Sequence, residues 1–251
     1  MRGPQTALDG QAPISFIGSR HTFGRFVERP FAIQVANGLD IPGLNLGVTG
    51  ASLEFYLKHE VLSAFLARSE TIVMEVWPTL LLSAGMFEVQ PSNGMLKFVK
   101  GPRAGVTQTA SEAYNIVLKE YGEAALNRQI ALTQAQWLRL HKRFARQFSG
   151  RKILLWLSNS LIKNQTKTDQ PPLGNYPHFV TTDMMTRASK MGFEIVEHVL
   201  NTKVEKPGSV ANVFATPEQH DNIARDLIQH IQTVNTSAKR STGRFGRWFS
   251  W

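Results

Sequence analysis

Cysteine is absent from all 251 residues, which excludes disulfides, thiolate catalysis and metal sites built on thiolates. No apolar run approaches the roughly 20 residues that span a bilayer. The opening Met1-Arg2-Gly3-Pro4-Gln5-Thr6 carries no apolar signal segment, so a cytoplasmic location is expected. Neither a Gly-x-Gly-x-x-Gly nor a Walker-type loop follows the first apolar run, which argues against a nucleotide-handling protein. His141, His178, His198 and His230 are scattered without ligand spacing, so no metal site and no cofactor is expected. Acids are scarce, 19 against 28 Lys and Arg, for a formal charge of +9.

That excess is local. One basic group comprises Arg139, His141, Lys142, Arg143, Arg146, Arg151 and Lys152, read as the solvated face of a helix; nucleic-acid contact is only a minor alternative. The other lies at the end, where Lys239, Arg240, Arg244 and Arg247 alternate with Phe245, Trp248, Phe249 and Trp251. Residues 235–251 read as a flexible basic-aromatic tail; contact with a membrane surface or a protein groove is the competing reading.

What is present is ordinary globular composition, 42% hydrophobic and 19% charged. Short apolar runs read as buried strands at 13–17, 41–46, 71–77, 152–157 and 193–198. Between them lie helical patterns. One falls within 25–39 with Pro30 in its first turn. Another is capped by Ser52 and carries Leu53, Tyr56, Leu57, Val61 and Phe65 on one face. Residues 111–126 and 133–148 read as two helices, the second capped by Thr133, followed by helices over 181–191 and 217–234. Strands alternating with helices call for a parallel sheet covered on both faces, a three-layer α/β/α arrangement with right-handed crossovers. Residues 1–234 are expected to form one such domain, with an insertion or lid around 79–130.

In these sheets ligands bind at the carboxyl ends of the strands. The turns there carry a resemblance. Phe16-Ile17-Gly18-Ser19-Arg20-His21-Thr22-Phe23-Gly24 resembles the first block of SGNH hydrolases, Gly-Asp-Ser-x-Thr-x-Gly. Leu44-Asn45-Leu46-Gly47-Val48-Thr49-Gly50-Ala51 is similar to their second block, where a glycine amide helps to form the oxyanion hole. Trp77-Pro78-Thr79 falls where the third block, Gly-x-Asn-Asp, would stand, and Pro217-Glu218-Gln219-His220-Asp221-Asn222-Ile223-Ala224 resembles the closing helix. Over most of its length to Leu157, and again in the last helix, the chain resembles an uncharacterised bacterial family, a domain of unknown function. The resemblance implies a doubly wound, flavodoxin-like or SGNH-like five-stranded parallel sheet. Ester hydrolysis or acyl transfer is the activity it would imply. The departures are specific. Ser19 stands at the Asp position and Arg20 at the Ser position. No Asn marks the third block. The stretch that would hold Asp-x-x-His reads Ser209-Val210-Ala211-Asn212-Val213-Phe214-Ala215. An intact triad is not expected.

The candidate site therefore rests on the turns. A strand ending at Gly18 and entering a helix leaves backbone N–H groups that favour an anion; Ser19, Arg20, Thr22 and Gly24 complete that turn. Asn45, Gly47, Thr49 and Gly50 form the second turn, with the Gly47 amide either facing an oxyanion or serving turn geometry. Trp77 either walls the pocket or belongs to the core. Ser19 is a candidate nucleophile with His220 as its base, against the plainer reading that both are structural. The expected ligand is small and anionic or carbohydrate-like. Two functions stay open, a degenerate esterase or acyltransferase and a non-catalytic binding protein.

Overall fold

The computed structural model describes residues 10–90, 94–164, 176–200 and 215–243, with the side chains of 237–243 excepted. Its centre is a five-stranded sheet of β1 (Ile14–Ile17), β2 (Gly43–Asn45), β3 (Thr71–Glu75), β7 (Arg151–Ser158) and β8 (Phe193–Val199), in the order β2-β1-β3-β7-β8. Every pairing is parallel; Ile14 is in register with both Gly43 and Thr71, Thr71 with Arg151, and Lys152 with Phe193. All carboxyl ends therefore open on one edge. β1 has its sequence successor on one side and β3 on the other, so the crossovers diverge there.

β1, β3 and the middle of β7 are largely apolar because both their faces are buried, whereas the edge strand β8 carries Glu194, Glu197 and His198 and is partly exposed. The two-residue period splits each run between two cores. Ile153, Leu155 and Leu157 pack with α2 (Phe31–Leu39) and α8 (Pro217–Gly243). Leu154 and Trp156 pack on the other side with α3 (Leu53–Lys58), α4 (Glu60–Ala67), α6 (Gly122–Gln147) and α7 (Thr182–Lys190).

Four local expectations are corrected. The helix after Ser52 is two helices, because His59 is extended (φ −86°, ψ 104°) and its side chain caps α4 by accepting from Leu62 N. The break turns the apolar face, so Leu62 and Leu66 are buried while Val61 is 60% exposed. The helices expected at 111–126 and 133–148 are instead α5 (Ala110–Ile116), a π-helical turn (Val117–Tyr121) and the unbroken α6. No Gly or Pro lies between Gly122 and Gly150 to stop it, and Thr133 donates to Ile130 O within the helix rather than capping it. The cap belongs to Thr109, which forms a reciprocal capping box with Glu112. Finally, α8 continues past Val234 to Gly243, since no breaker intervenes.

Within residues 79–109 lies a second small sheet, β4 (Phe87–Val89), β5 (Met95–Phe98) and β6 (Thr107–Thr109), antiparallel throughout. Its apolar side, with Phe87, Leu96 and Phe98, packs on Tyr114, Val117, Leu126 and Ile130. The tail residues 244–251 and the stretch 209–214 lie outside the described residues.

Candidate functional site

β1 ends at Gly18, and the chain turns at once into the short helix α1 (Arg20–Phe23). No side chain fits at Gly18. A Cβ there would stand 2.0 Å from Thr22 Oγ1 and 2.6 Å from Glu75 Oε2. Glu75 closes β3 and is 1% exposed. Its carboxylate lies under the turn: Oε2 accepts from Ser19 N at 2.8 Å, Thr22 Oγ1 at 2.9 Å and Thr22 N at 3.4 Å. Oε1 accepts from the Tyr176 hydroxyl at 3.2 Å. A buried carboxylate is tolerated only when its oxygens are satisfied, and these four donors satisfy it. The amides that the sequence offers to an external anion thus hold one supplied by the protein.

Tyr56 fastens the same corner from below, its single hydroxyl proton shared between Gly18 O at 2.9 Å and Leu46 O at 2.8 Å. Burial raises its pKa, so it stays a neutral donor. Asn45 bridges the first two turns: Nδ2 donates to Thr22 O at 2.9 Å, and Oδ1 accepts from Gly47 N at 3.1 Å. The Gly47 amide is therefore directed at Asn45. Gly47 is also where a Cβ would lie 2.6 Å from Phe23 N, so close packing of the two turns requires glycine. Gly24 ends α1 in the left-handed region (φ 62°). Gly50 (φ 77°) donates its N–H to Ser19 Oγ at 3.2 Å; Thr49 beside it is exposed.

Above this base stand Arg20, His21 and Tyr176. The half-buried Arg20 places its guanidinium 5.9 Å from the centre of the Tyr176 ring and forms no salt bridge among the described residues. His21 is 5% exposed, lies edge-on to Tyr176 at 6.2 Å, and has Nδ1 without a partner among the described residues. Burial lowers the His21 pKa, with Glu75 acting against that and Arg20 with it, so the imidazole is held neutral. Burial, then the Glu75 charge, pushes the Tyr176 phenol well above its ordinary value.

Gly18, Ser19, Arg20, Thr22, Gly24, Asn45, Gly47 and Gly50 thus converge on one corner, and two expected residues do not. Trp77 is 1% exposed, with its carbonyl accepting from Trp137 Nε1 at 3.0 Å and its ring 5.5 Å from Tyr56. It is a core residue because the strand end on which it sits is covered by α3 and α6. His220 is 1% exposed, stacks on Phe31 at 5.5 Å, and its Nδ1 accepts from Phe31 N at 3.1 Å. It satisfies the first free amide of α2, whose N-cap, Pro30, has no side-chain acceptor to offer. The hydrogen bonds of Ser19 run instead to Glu75, Gly50 and Phe23.

Three participants were not anticipated. Glu75 did leave a signal, as the lone acid in the apolar run Thr71-Ile72-Val73-Met74-Glu75-Val76-Trp77. Tyr56 reads as one more apolar-face residue, and Tyr176 sits in an aperiodic loop. Among the described residues no three His, Asp or Glu converge as metal ligands, and no helix is long and apolar enough to cross a membrane.

No curated protein matches the chain. A lipase, Lip_vut3 from a goat rumen metagenome, is similar in structure at 9% identity and a TM-score of 0.47, over 86% of this chain and 96% of that one. The family described as Domain of unknown function (DUF6473) matches residues 1–94 and 118–239, and the interval between holds β5, β6 and α5. With most of its length so matched, the chain belongs to that family.

Proposed function

We propose that this chain is a binding protein on a hydrolase-like scaffold. Its site lies at the carboxyl ends of β1, β2 and β3, and its ligand is small and anionic or carbohydrate-like. The observation that carries the reading is Arg20. Its guanidinium is held over Tyr176 at the edge where crossovers diverge, without an ion pair among the described residues. The β2-β1-β3-β7-β8 order supports a doubly wound, flavodoxin-like layout, in which the crevice between β1 and β3 is the place for a ligand. Arg20 supplies charge and a planar fork of donors, and the half-buried Ser19 hydroxyl supplies a neutral donor beside it. The amides beneath are spoken for by Glu75, so recognition of an anion falls to side chains rather than to the helix start.

Titration with sulfate, phosphate and glucuronate, followed by calorimetry, tests the reading. Saturable binding lost in Arg20→Ala, with unfolding unchanged, is the expected result. Binding that is equal in Arg20→Ala sinks the role of Arg20. A degenerate esterase acting through Ser19 is the second reading, favoured by the position of that hydroxyl on the open edge. It requires a base for Ser19, and His220 Nδ1 is engaged with Phe31. Turnover of p-nitrophenyl acetate above background, abolished in Ser19→Ala, would establish it in place of the first.

A further inference from the structure

We infer that a second site, a cavity of about 510 Å³ between α6 and the small antiparallel sheet, takes an amphipathic carboxylate with an apolar body and one anionic end. The volume lies within the ~300–1,000 Å³ of small-molecule sites.

The cavity is built rather than left over. Gln129 is 2% exposed and clamps the turn that forms one wall: its Oε1 accepts from Met86 N at 2.9 Å and its Nε2 donates to Ala84 O at 2.9 Å. Gly85 lies between them in the left-handed region (φ 60°), and a Cβ there would stand 2.2 Å from Gln129 Oε1. Gly101, also left-handed (φ 77°), comes so close to Tyr121 that its Cβ would stand 3.0 Å from the hydroxyl. At Gly85 the backbone comes closer to Gln129 than a Cβ allows, and at both glycines the left-handed backbone disfavours other residues.

The lining specifies the ligand. Met86, Tyr121, Ala125 and Leu132 offer apolar surface, and Leu132 is left 44% exposed. Lys100 and Arg128 lie on the same walls, and no acid does. Among the described residues neither cation forms a salt bridge, whereas the neighbouring Glu120 is already paired with Arg103. An apolar floor with two unneutralised cations favours an anion that carries hydrocarbon over bare phosphate, which would leave the floor wet. Lys100 and Gly101 belong to the interval outside the family match, so this specificity belongs to chains that carry the segment.

Methyl-labelled methionine in the full chain provides the readout. Sodium octanoate is expected to shift the Met86 methyl saturably, while octan-1-ol binds more weakly. Lys100→Ala and Arg128→Ala each weaken binding about fivefold, as suits exposed charges. Ala124→Trp, on the exposed α6 wall, fills the cavity and abolishes the shift; Arg20→Ala leaves it unchanged, which separates this site from the β1–β3 corner. No saturable shift, a shift that survives Ala124→Trp, or equal affinity for octan-1-ol overturns the inference. Should Ala124→Trp fail to fold, the surface pair Lys100→Glu and Arg128→Glu decides, since octanoate binding that persists in it is equally fatal.

Discussion

Replacing Glu75 by glutamine and by alanine separates its charge from its shape. In Glu75→Gln the amide oxygen can take the Oε2 position and go on accepting from Ser19 N and Thr22 Oγ1, now 2.8 and 2.9 Å away. The loss is charge assistance on those two short bonds, roughly 1 kcal/mol each, or about 2 kcal/mol in all. In Glu75→Ala the same donors are stranded, together with Thr22 N and the Tyr176 hydroxyl, whose bonds are the longer ones at 3.4 and 3.2 Å. At about 1–3 kcal/mol for each buried unsatisfied donor, the long bonds at the low end, the expected cost is about 4–8 kcal/mol. That is a large share of the ~5–15 kcal/mol that holds a domain folded. Urea unfolding with linear extrapolation measures both variants. A second consequence is specific to the cradle. Emptied of its own carboxylate, it becomes an anion site, and sulfate at a hundred times its Kd would restore about 2.7 kcal/mol to Glu75→Ala. A Glu75→Ala cost no greater than that of Glu75→Gln, or sulfate that stabilises Glu75→Ala no more than the unsubstituted chain, would rule out a cradle held together by this carboxylate.

Gly18→Ala places a Cβ 2.0 Å from Thr22 Oγ1 and 2.6 Å from Glu75 Oε2, so it should cost about 3 kcal/mol or more in urea unfolding. His220→Ala removes both the acceptor for Phe31 N and the stack on Phe31, and should cost about 2–4 kcal/mol without changing any ester turnover. Lost turnover at unchanged stability would instead mark His220 as a base. His141 is fully buried, and burial lowers its pKa to about 3 from an ordinary 6.5. The unfolded chain takes up this proton below pH 6.5 while the native state refuses it. Stability is therefore fully present above 6.5 and falls by roughly 1.4 kcal/mol per pH unit on descending toward 3. His141→Gln should flatten that slope, and equal acid sensitivity in both chains would contradict the assignment.

The five strands were legible because the central ones, β1, β3 and β7, are buried on both faces and appear as nearly continuous apolar runs, while Phe193, Ile195 and Val196 mark the edge strand β8 despite Glu194 and Glu197. Helix limits were less so. Thr133 has the chemistry of a cap but lies inside a helix that no Gly or Pro interrupts, and Val61 has the right spacing for a face that the break at His59 rotates away. At the site, Gly18, Gly24 and Gly47 could be singled out because tight turns at strand ends need them. Trp77 and His220 misled, since a Trp beside a strand end and a His on a closing helix look alike whether they face a ligand or a neighbouring helix.

By itself the sequence determined the layering and the parallel sheet, with its carboxyl ends on one edge, because these follow from the period and order of apolar segments along the chain. The tertiary structure alone decided what occupies that edge. Glu75 is 56 residues from Ser19, and Tyr176 a further 101 beyond Glu75. Hydrogen bonds across such spans arise only when the sheet order sets β3 beside β1, and no local pattern records which distant carboxylate will fill the amides of a turn.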